Sequence, residues 1–224
     1  MILRLLIFIG SLLIAVSCIS TTNTLIEKRL SLYFIAENIG TVQTIDETEI
    51  VVTDLKFALD RFRLEGEGDT IIETGEQITA IIFSYGEQLS GENLVLDVGL
   101  GITSDLFFNS YTMFLEPVRS RTNVFDNDFF GEDENYSLVI KGTIDEVSFE
   151  MTSTLEMEQA FNFDNVQLRG NDETLVMIKR IDVRELFIDE ENNFIDPRVA
   201  ENEDTIAERV IDNLRISVSS GTIF

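Results

Sequence analysis

Strict alternation of apolar and polar side chains, from Val147 to Glu158, is the feature of this sequence that most constrains its fold. The residues on one side of the alternation are Val147, Phe149, Met151, Ser153, Leu155 and Met157. A period of two places successive side chains on opposite faces of a β-strand, so the segment predicts an antiparallel strand with one face on the core and one in water. Residues 136–144 predict its partner strand, and Asp145 and Glu146 between them predict the turn of a β-hairpin.

Other segments show strand patterns along most of the chain. Residues 50–64 alternate as well, but the phase changes near Asp60 and Arg61, which predicts a β-bulge in a second long strand. Further strands are predicted at residues 71–72, 78–83, 94–98, 175–183 and 216–224. The predicted fold class is therefore mainly β, an antiparallel β-sandwich with one or two peripheral helices, in a single domain over residues 24–224. A division into two subdomains near residues 120–133 is the alternative.

Two segments are candidates for helices. Residues 205–208 form a capping box, in which the Thr205 hydroxyl would accept the amide of Glu208 while the Glu208 side chain reaches back. Apolar residues at helical spacing predict a stripe that faces the sheet, and they are Ile206, Val210, Ile211 and Leu214. A helix is also considered over residues 24–35, where the apolar pattern is mixed.

The first eighteen residues have the order of a secretory signal peptide. Arg4 supplies a basic end, residues 5–15 are almost entirely apolar, and small residues lead into Cys18. A cysteine in this place resembles the lipobox of bacterial lipoproteins, where the thiol is acylated and the chain is cut just before it. The apolar run is shorter than the roughly 20 residues that span a bilayer, which argues against a single membrane anchor. We therefore expect a lipoprotein signal peptide over residues 1–17, lipidation at Cys18 and a short tether to residue 23, with an ordinary signal peptide as the alternative.

The expected location of the protein is the outer membrane. Two or more acyl chains on Cys18 would hold the protein at a membrane, where a single chain is marginal. Ile19, the next residue, is not the aspartate-type retention signal of enterobacterial sorting, which favours the outer membrane over the inner one. No acidic export signal follows Cys18, so the periplasmic face is preferred over surface display.

The composition excludes several classes of site. A net charge of −25 repels nucleic acid phosphates and anionic lipid headgroups. The chain contains no His and no Trp, and Cys18 is its only cysteine. It therefore lacks a Ser-His-Asp triad, His-based metal sites, disulfides and an indole platform for sugars. Most of the acidic side chains are expected simply to be solvated.

An acidic loop at residues 126–134 is the first candidate metal site. Its potential calcium ligands are Asp126, Asp128, Glu132 and Glu134. Calcium takes about six to eight oxygen ligands, which dense carboxylates can supply. The spacing of the two aspartates matches the first and third positions of a calcium loop, but an apolar fifth position and a serine at the twelfth exclude a classical EF-hand. Irregular calcium binding and a solvated acidic turn both stay open.

A second acidic loop at residues 189–196 is the other candidate metal site. Its potential ligands are Asp189, Glu191 and Asn193, which alternate along the chain without the central glycine of a calcium loop. The loop follows the apolar residues 186–188. Its Asp and Asn side chains could therefore hydrogen-bond the local backbone at a strand-to-loop transition instead.

Several segments, in their order along the chain, resemble exported lipoproteins of Gram-negative bacteria that have β-sandwich domains of unknown function. The segments that carry this resemblance are residues 50–59, 136–149, 181–187, 195–197 and 206–216. A more distant similarity, through the first of these strands and residues 96–99, is to the methanobactin-associated periplasmic copper-binding lipoproteins. The resemblance implies a β-sandwich in the cell envelope. The Trp and His around the metal in the copper-binding proteins are absent here, so copper binding does not carry over.

These patterns together predict a non-catalytic, lipid-anchored envelope protein that acts as a binding or structural accessory module. Its partners would be the membrane, through acyl chains on Cys18, and an envelope protein or glycan, but no nucleic acid. The alternative function is a calcium-dependent adhesion or glycan-binding module that uses the two acidic loops. A carboxylate-based hydrolase would need two converging carboxylates in a cleft.

Overall fold

The computed structural model describes residues 28–66, 71–73, 79–84, 93–100, 105–168 and 173–222, so the predicted leader, Cys18 and tether lie outside the described residues. The protein is mainly β, with 59% of the described residues in strands. The described strands are β1 (Arg29–Glu37), β2 (Gln43–Ile45), β3 (Thr48–Gly66), β4 (Ile71–Glu73), β5 (Thr79–Ser84), β6 (Asn93–Gly99), β7 (Leu106–Leu115), β8 (Leu138–Ile144), β9 (Val147–Ser153), β10 (Met157–Leu168), β11 (Glu173–Asp182) and β12 (Arg215–Thr222). They form one eight-stranded and one four-stranded sheet, which confirms the mainly β, sandwich-like fold class.

The eight-stranded sheet is organised around β3, which is 19 residues long. β8 and β7 pair one after the other along one edge of β3, while β2, β5 and β4 pair along its other edge. β9 and β10 continue the sheet outside β8 and β7. The sheet is therefore four rows wide: β2, β5 and β4 form one outer row, β3 the next, β8 and β7 the third, and β9 and β10 the other outer row. Residues 116–137, which connect β7 to β8, lie outside these rows.

The predicted bulge in β3 is confirmed. Its register with β7 shifts between Leu59 and Arg61, where the apolar pattern changes phase. A second shift, between Val52 and Asp54, occurs opposite β8 and was not predicted. Gly142 lies at this second bulge, and a Cβ atom there would be 2.1 Å from the carbonyl oxygen of Val51. The close approach of the two backbones therefore requires glycine.

The predicted hairpin is present as β8 and β9, but its second strand is shorter than expected. Asp145 and Glu146 have φ values of 48° and 67°, the left-handed conformations of a type I′ turn. β9 ends at Ser153, and β10, which begins at Met157, pairs with β7 instead. The prediction of one continuous strand was wrong because the alternation of apolar and polar residues continues through residues 154–156, which join β9 to β10. The residues on either side of the junction turn the same face to the core.

The four-stranded sheet has the order β12, β11, β1, β6, and β1 pairs with β11 in parallel. The helix considered over residues 24–35 is wrong from residue 29 onward, because these residues belong to β1, while residues 24–27 lie outside the described residues. β1 has a neighbouring strand on both sides, and Leu30, Ser31 and Leu32 are all buried. Burial of successive residues hides the two-residue period of a strand.

Both sheets contribute to one hydrophobic core, against which the described α-helix, α1 (Glu203–Asp212), also packs. The predicted stripe is confirmed, since Ile206, Val210, Ile211 and Leu214 are all buried. The predicted capping box is wrong: Asn202 is the N-cap, and its side chain makes no capping hydrogen bond. A 3₁₀ turn (Ala200–Asn202) leads directly into the helix and places Thr205 inside the first turn. Among the described helices, none has the length and apolar character needed to cross a bilayer.

Candidate functional site

The outer face of the eight-stranded sheet is partly covered by residues 116–137, which we call the crossing segment. It packs on the sheet through a small second core that comprises Ala58, Val118, Val124, Phe129 and Val139. Ala58 and Val139 come from β3 and β8, and the other three residues come from the crossing segment. The crossing segment is thereby held against the middle of the sheet.

The two aspartates of the first acidic loop bind lysines of the sheet. Lys56 Nζ, on β3, lies 2.8 Å from Asp126 Oδ2 and 2.7 Å from Asp128 Oδ2. Lys141 Nζ, on β8, lies 2.8 Å from the same oxygen of Asp128. The Asp126 side chain also accepts the backbone N–H of Asp128 at 2.9 Å and so caps the 3₁₀ turn Asn127–Phe129. Two ammonium groups therefore occupy the positions around these carboxylates where a calcium ion was predicted.

The pKa shifts of Lys56 and Asp128 both favour the charged forms. Burial acts to lower the pKa of Lys56, but hydrogen bonds and charge interactions with Asp126 and Asp128 outweigh it and raise the pKa. Burial acts to raise the pKa of Asp128, but the hydrogen bonds from Lys141 and Lys56 outweigh it and lower the pKa. A general acid or base works best with a pKa near the operating pH. Both shifts move the pKa values further from neutral pH, so these groups are better suited to binding or structural support than to proton transfer.

The other predicted calcium ligands do not join this network. Glu132 and Glu134 are exposed on the crossing segment. In the second loop, Asp189 accepts the backbone N–H groups of Glu191 and Asn193, both at 2.8 Å, and the Asn193 side-chain amide at 2.9 Å. The hydrogen bond from the Asn193 side chain lowers the pKa of Asp189. The second loop therefore closes on its own backbone, which is the alternative that the sequence left open.

No assembled metal site is found in the described part of the chain. There, no group of three or more His, Cys, Asp or Glu is placed to hold a metal ion. The structure thus brings Asp126 and Asp128 together, but it provides no set of calcium ligands from the two loops. Calcium binding stays a prediction that these contacts do not favour.

A polar depression lies beside Lys141 on the same face of the sheet. It has a volume of about 460 Å³ and is lined by Thr53, Asp54, Lys141, Gly142, Thr143, Ser148, Phe149 and Glu150. The unpredicted bulge in β3 places Thr53 and Asp54 at its edge. Asp54 is held by hydrogen bonds from Ser84 Oγ at 2.6 Å and Thr53 Oγ1 at 2.9 Å. The depression presents hydroxyl, carboxylate and ammonium groups together, which can bind a polar ligand.

Sequence reasoning missed the residues of this depression and both lysines of the network. The available signal was faint: Lys56 and Lys141 are two of four lysines in a strongly acidic chain, and both fall at outward positions of predicted strands. The pairing of Lys56 with Asp126 joins residues 70 positions apart. Periodicity within a segment carries no information about such contacts.

The chain matches no protein-family model, no curated protein and no solved structure. Kinship with exported Gram-negative lipoproteins therefore stays a prediction from the sequence. A sandwich fold hosts many unrelated functions, so the function has to be inferred from the residues of the site itself.

Proposed function

We propose that the protein is a non-catalytic, lipid-anchored envelope protein that acts as a binding or structural accessory module through the outer face of its eight-stranded sheet. The observation that carries this proposal is the network of Lys56, Asp126, Asp128 and Lys141. It fixes the crossing segment on the sheet and pairs each of these groups with a side chain of opposite charge. Such groups recognise and position polar partners, whereas a nucleophile or proton carrier has to be free to react.

The charge around the depression supports a neutral or basic partner. Four carboxylates, from Asp54, Asp126, Asp128 and Glu150, face the two ammonium groups of Lys56 and Lys141. The surplus of negative charge repels phosphate groups. Hydroxyl groups from Thr53, Thr143 and Ser148 add donors and acceptors for an uncharged polar partner. An envelope glycan or the polar surface of an envelope protein has this chemistry.

The anchor is supported by the leader sequence alone. Small residues before Cys18, a short apolar run and a single basic residue are typical of a lipoprotein signal peptide. Acyl chains on Cys18 would tether the sandwich to the membrane through a linker that ends before β1. We infer attachment at the outer membrane, with the periplasmic face preferred.

Intact mass measurement of the membrane-fraction protein tests the anchor. We expect a diacylated or triacylated N-terminus at Cys18, and we expect Cys18→Ala to lose both the added mass and the membrane retention. Ser20→Ala, two residues away, is the matched control and should keep both. An unmodified Cys18 or cleavage elsewhere would show that the anchoring part of the proposal is wrong.

Site-specific crosslinking in intact cells tests the binding face. A photoreactive residue in place of Ser148, an exposed serine in the depression, should give a discrete crosslinked species. The control replaces Ser217, an exposed serine on β12 in the other sheet. Equal labelling from both positions, or none from position 148, would contradict a binding role for this face.

A further inference from the structure

The core between the two sheets contains a lysine. Lys179, on β11, is completely buried, and its Nζ lies 3.8 Å from the ring centroid of Tyr111, 4.9 Å from that of Phe161 and 5.1 Å from that of Phe34. The same nitrogen lies 3.1 Å from Met113 Sδ. Phe34 belongs to the same sheet as Lys179, while Tyr111, Met113 and Phe161 belong to the other. The amine therefore lies in an aromatic cage built by both sheets.

Within the described residues, this cage holds no counter-ion for Lys179. In the described part of the chain, Tyr111 is the one titratable group that faces Nζ, since β1 and β10 present phenylalanines and the β12 partner in register is Ile216. Burial raises the pKa of Tyr111, so its hydroxyl stays neutral, and that hydroxyl has no hydrogen-bond partner among the described residues.

A charged ammonium in this cage would be costly. A buried ion without a counter-ion loses its hydration, and contact with aromatic faces restores only part of that loss. Burial accordingly lowers the pKa of Lys179 well below its ordinary value, and the neutral amine is the form that the closed core accommodates.

We propose that the protonation state of Lys179 controls how tightly the two sheets pack against each other. When the lone pair of Nζ takes a proton from water, the resulting ammonium needs hydration, and the contact between β11 and β7 loosens to provide it. When the proton returns to water, the cage closes again over the neutral amine. Lys179 lies in the core, so this control goes beyond the binding role of the outer face.

The composition isolates the titration of this single residue. The chain has no histidine, so no side chain with an ordinary pKa changes charge near neutral pH. The ordinary pKa values of Asp and Glu lie below this range, and those of Tyr and Lys lie above it. Any contribution from Cys18 or the terminal amine is shared by wild type and variants and cancels in their comparison.

The sign of the effect follows from the direction of the shift. Between pH 7 and pH 9 the unfolded chain holds the Lys179 proton, while the folded chain releases it as the pH passes the lowered pKa. The unfolding equilibrium constant should therefore fall with rising pH, by up to about tenfold per pH unit. This dependence ends near the ordinary lysine pKa of 10.5.

Urea unfolding of the full-length protein from pH 7 to pH 9 tests the linkage. Lys179→Met keeps an unbranched apolar chain in the cage and should remove the dependence on one proton. Arg180→Met is the matched control, because it removes one positive charge from the exposed side of the same strand. We expect Arg180→Met to keep the wild-type pH dependence. Identical pH dependences for wild type and Lys179→Met would overturn the proposal.

Amide hydrogen exchange tests whether the proton loosens the sheets rather than only the whole fold. On going from pH 9 to pH 7, amides in β7 and β11 of the wild type should lose protection relative to Lys179→Met at the same pH, and amides in β8 should not. A uniform loss across all strands would overturn the proposal. So would a Lys179→Met protein that does not fold, because removing an unpaired buried amine should stabilise the core.

Discussion

Ser137 shows how one hydroxyl determines the path of the chain. Ser137 is fully buried, and its Oγ lies 3.0 Å from the carbonyl oxygen of Ser153 and 2.7 Å from that of Leu155. The Ser153 hydroxyl in turn accepts the N–H of Leu155 at 3.1 Å. These bonds satisfy the backbone where β9 gives way to β10. The strand therefore ends without the Gly or Pro that usually marks a turn.

Removing this hydroxyl should destabilise the protein measurably. We expect Ser137→Ala to lower the free energy of unfolding by about 1–3 kcal/mol, because the carbonyl oxygen of Leu155 loses its hydroxyl donor, while that of Ser153 keeps the Ser137 backbone N–H. Ser148→Ala removes an exposed hydroxyl on β9 and should change the free energy of unfolding by less than about 0.5 kcal/mol. Urea unfolding followed by circular dichroism measures both values. Equal losses for the two variants would contradict the role given to Ser137.

At the scale of elements, apolar periodicity located β3 with its bulge, β8 and the buried stripe of α1, because apolar residues recur in each of them at the spacing of one face. It failed for β1, which lies between two strands and buries successive residues. Its parallel partner, β11, comes far later in the chain, and no local pattern signals that pairing.

The candidate site was predictable only in part, for a similar reason. Asp126 and Asp128 were predicted to bind a cation through their carboxylate oxygens, and both carboxylates do bind the ammonium group of Lys56. The cations are Lys56 and Lys141, which belong to strands on the other side of the contact. Sequence spacing identifies residues that lie close along the chain, whereas this site depends on the pairing of distant elements.

Removing Lys56 of β3 should loosen the attachment of the crossing segment to the sheet. We expect Lys56→Met to raise hydrogen exchange at the amides of Phe130 and Gly131 by roughly tenfold, which corresponds to about 1.4 kcal/mol of local stability. Amides of β1 serve as the internal reference and should not change. The matched variant Arg184→Met removes an exposed cation outside the crossing segment and should have a smaller effect. Unchanged exchange in Lys56→Met would contradict the anchoring role.

The pKa shifts define the pH range of this attachment. Asp128 has a pKa below its ordinary value of 3.8, so its contribution is complete above that pH and is lost as the pH falls through the lowered pKa. Lys56 has a pKa above its ordinary value of 10.5, so its contribution is complete below that pH and is lost as the pH rises through the raised pKa. We expect constant protection of the Phe130 amide, corrected for intrinsic exchange, between pH 5 and pH 9.

At the scale of the whole molecule, the net charge of −25 acts on stability through self-repulsion. Divalent cations should screen this repulsion without binding a defined site, because the described residues assemble no metal cluster. We expect CaCl₂ and MgCl₂ at equal concentrations to raise Tm by the same amount. A larger, saturable rise with calcium would show a specific site in the folded protein and would favour the adhesion alternative.

The parallel pairing of β1 with β11 has a consequence for the order of events during synthesis. Arg29 pairs with Thr174 and Glu37 with Asp182, so the middle of the four-stranded sheet joins two distant parts of the polypeptide. Closing so long a loop is slow, and until it closes β1 exposes an unpaired edge. The sheet therefore cannot form until most of the chain has left the ribosome. Until then, the strand made first has no partner on the edge that faces β11.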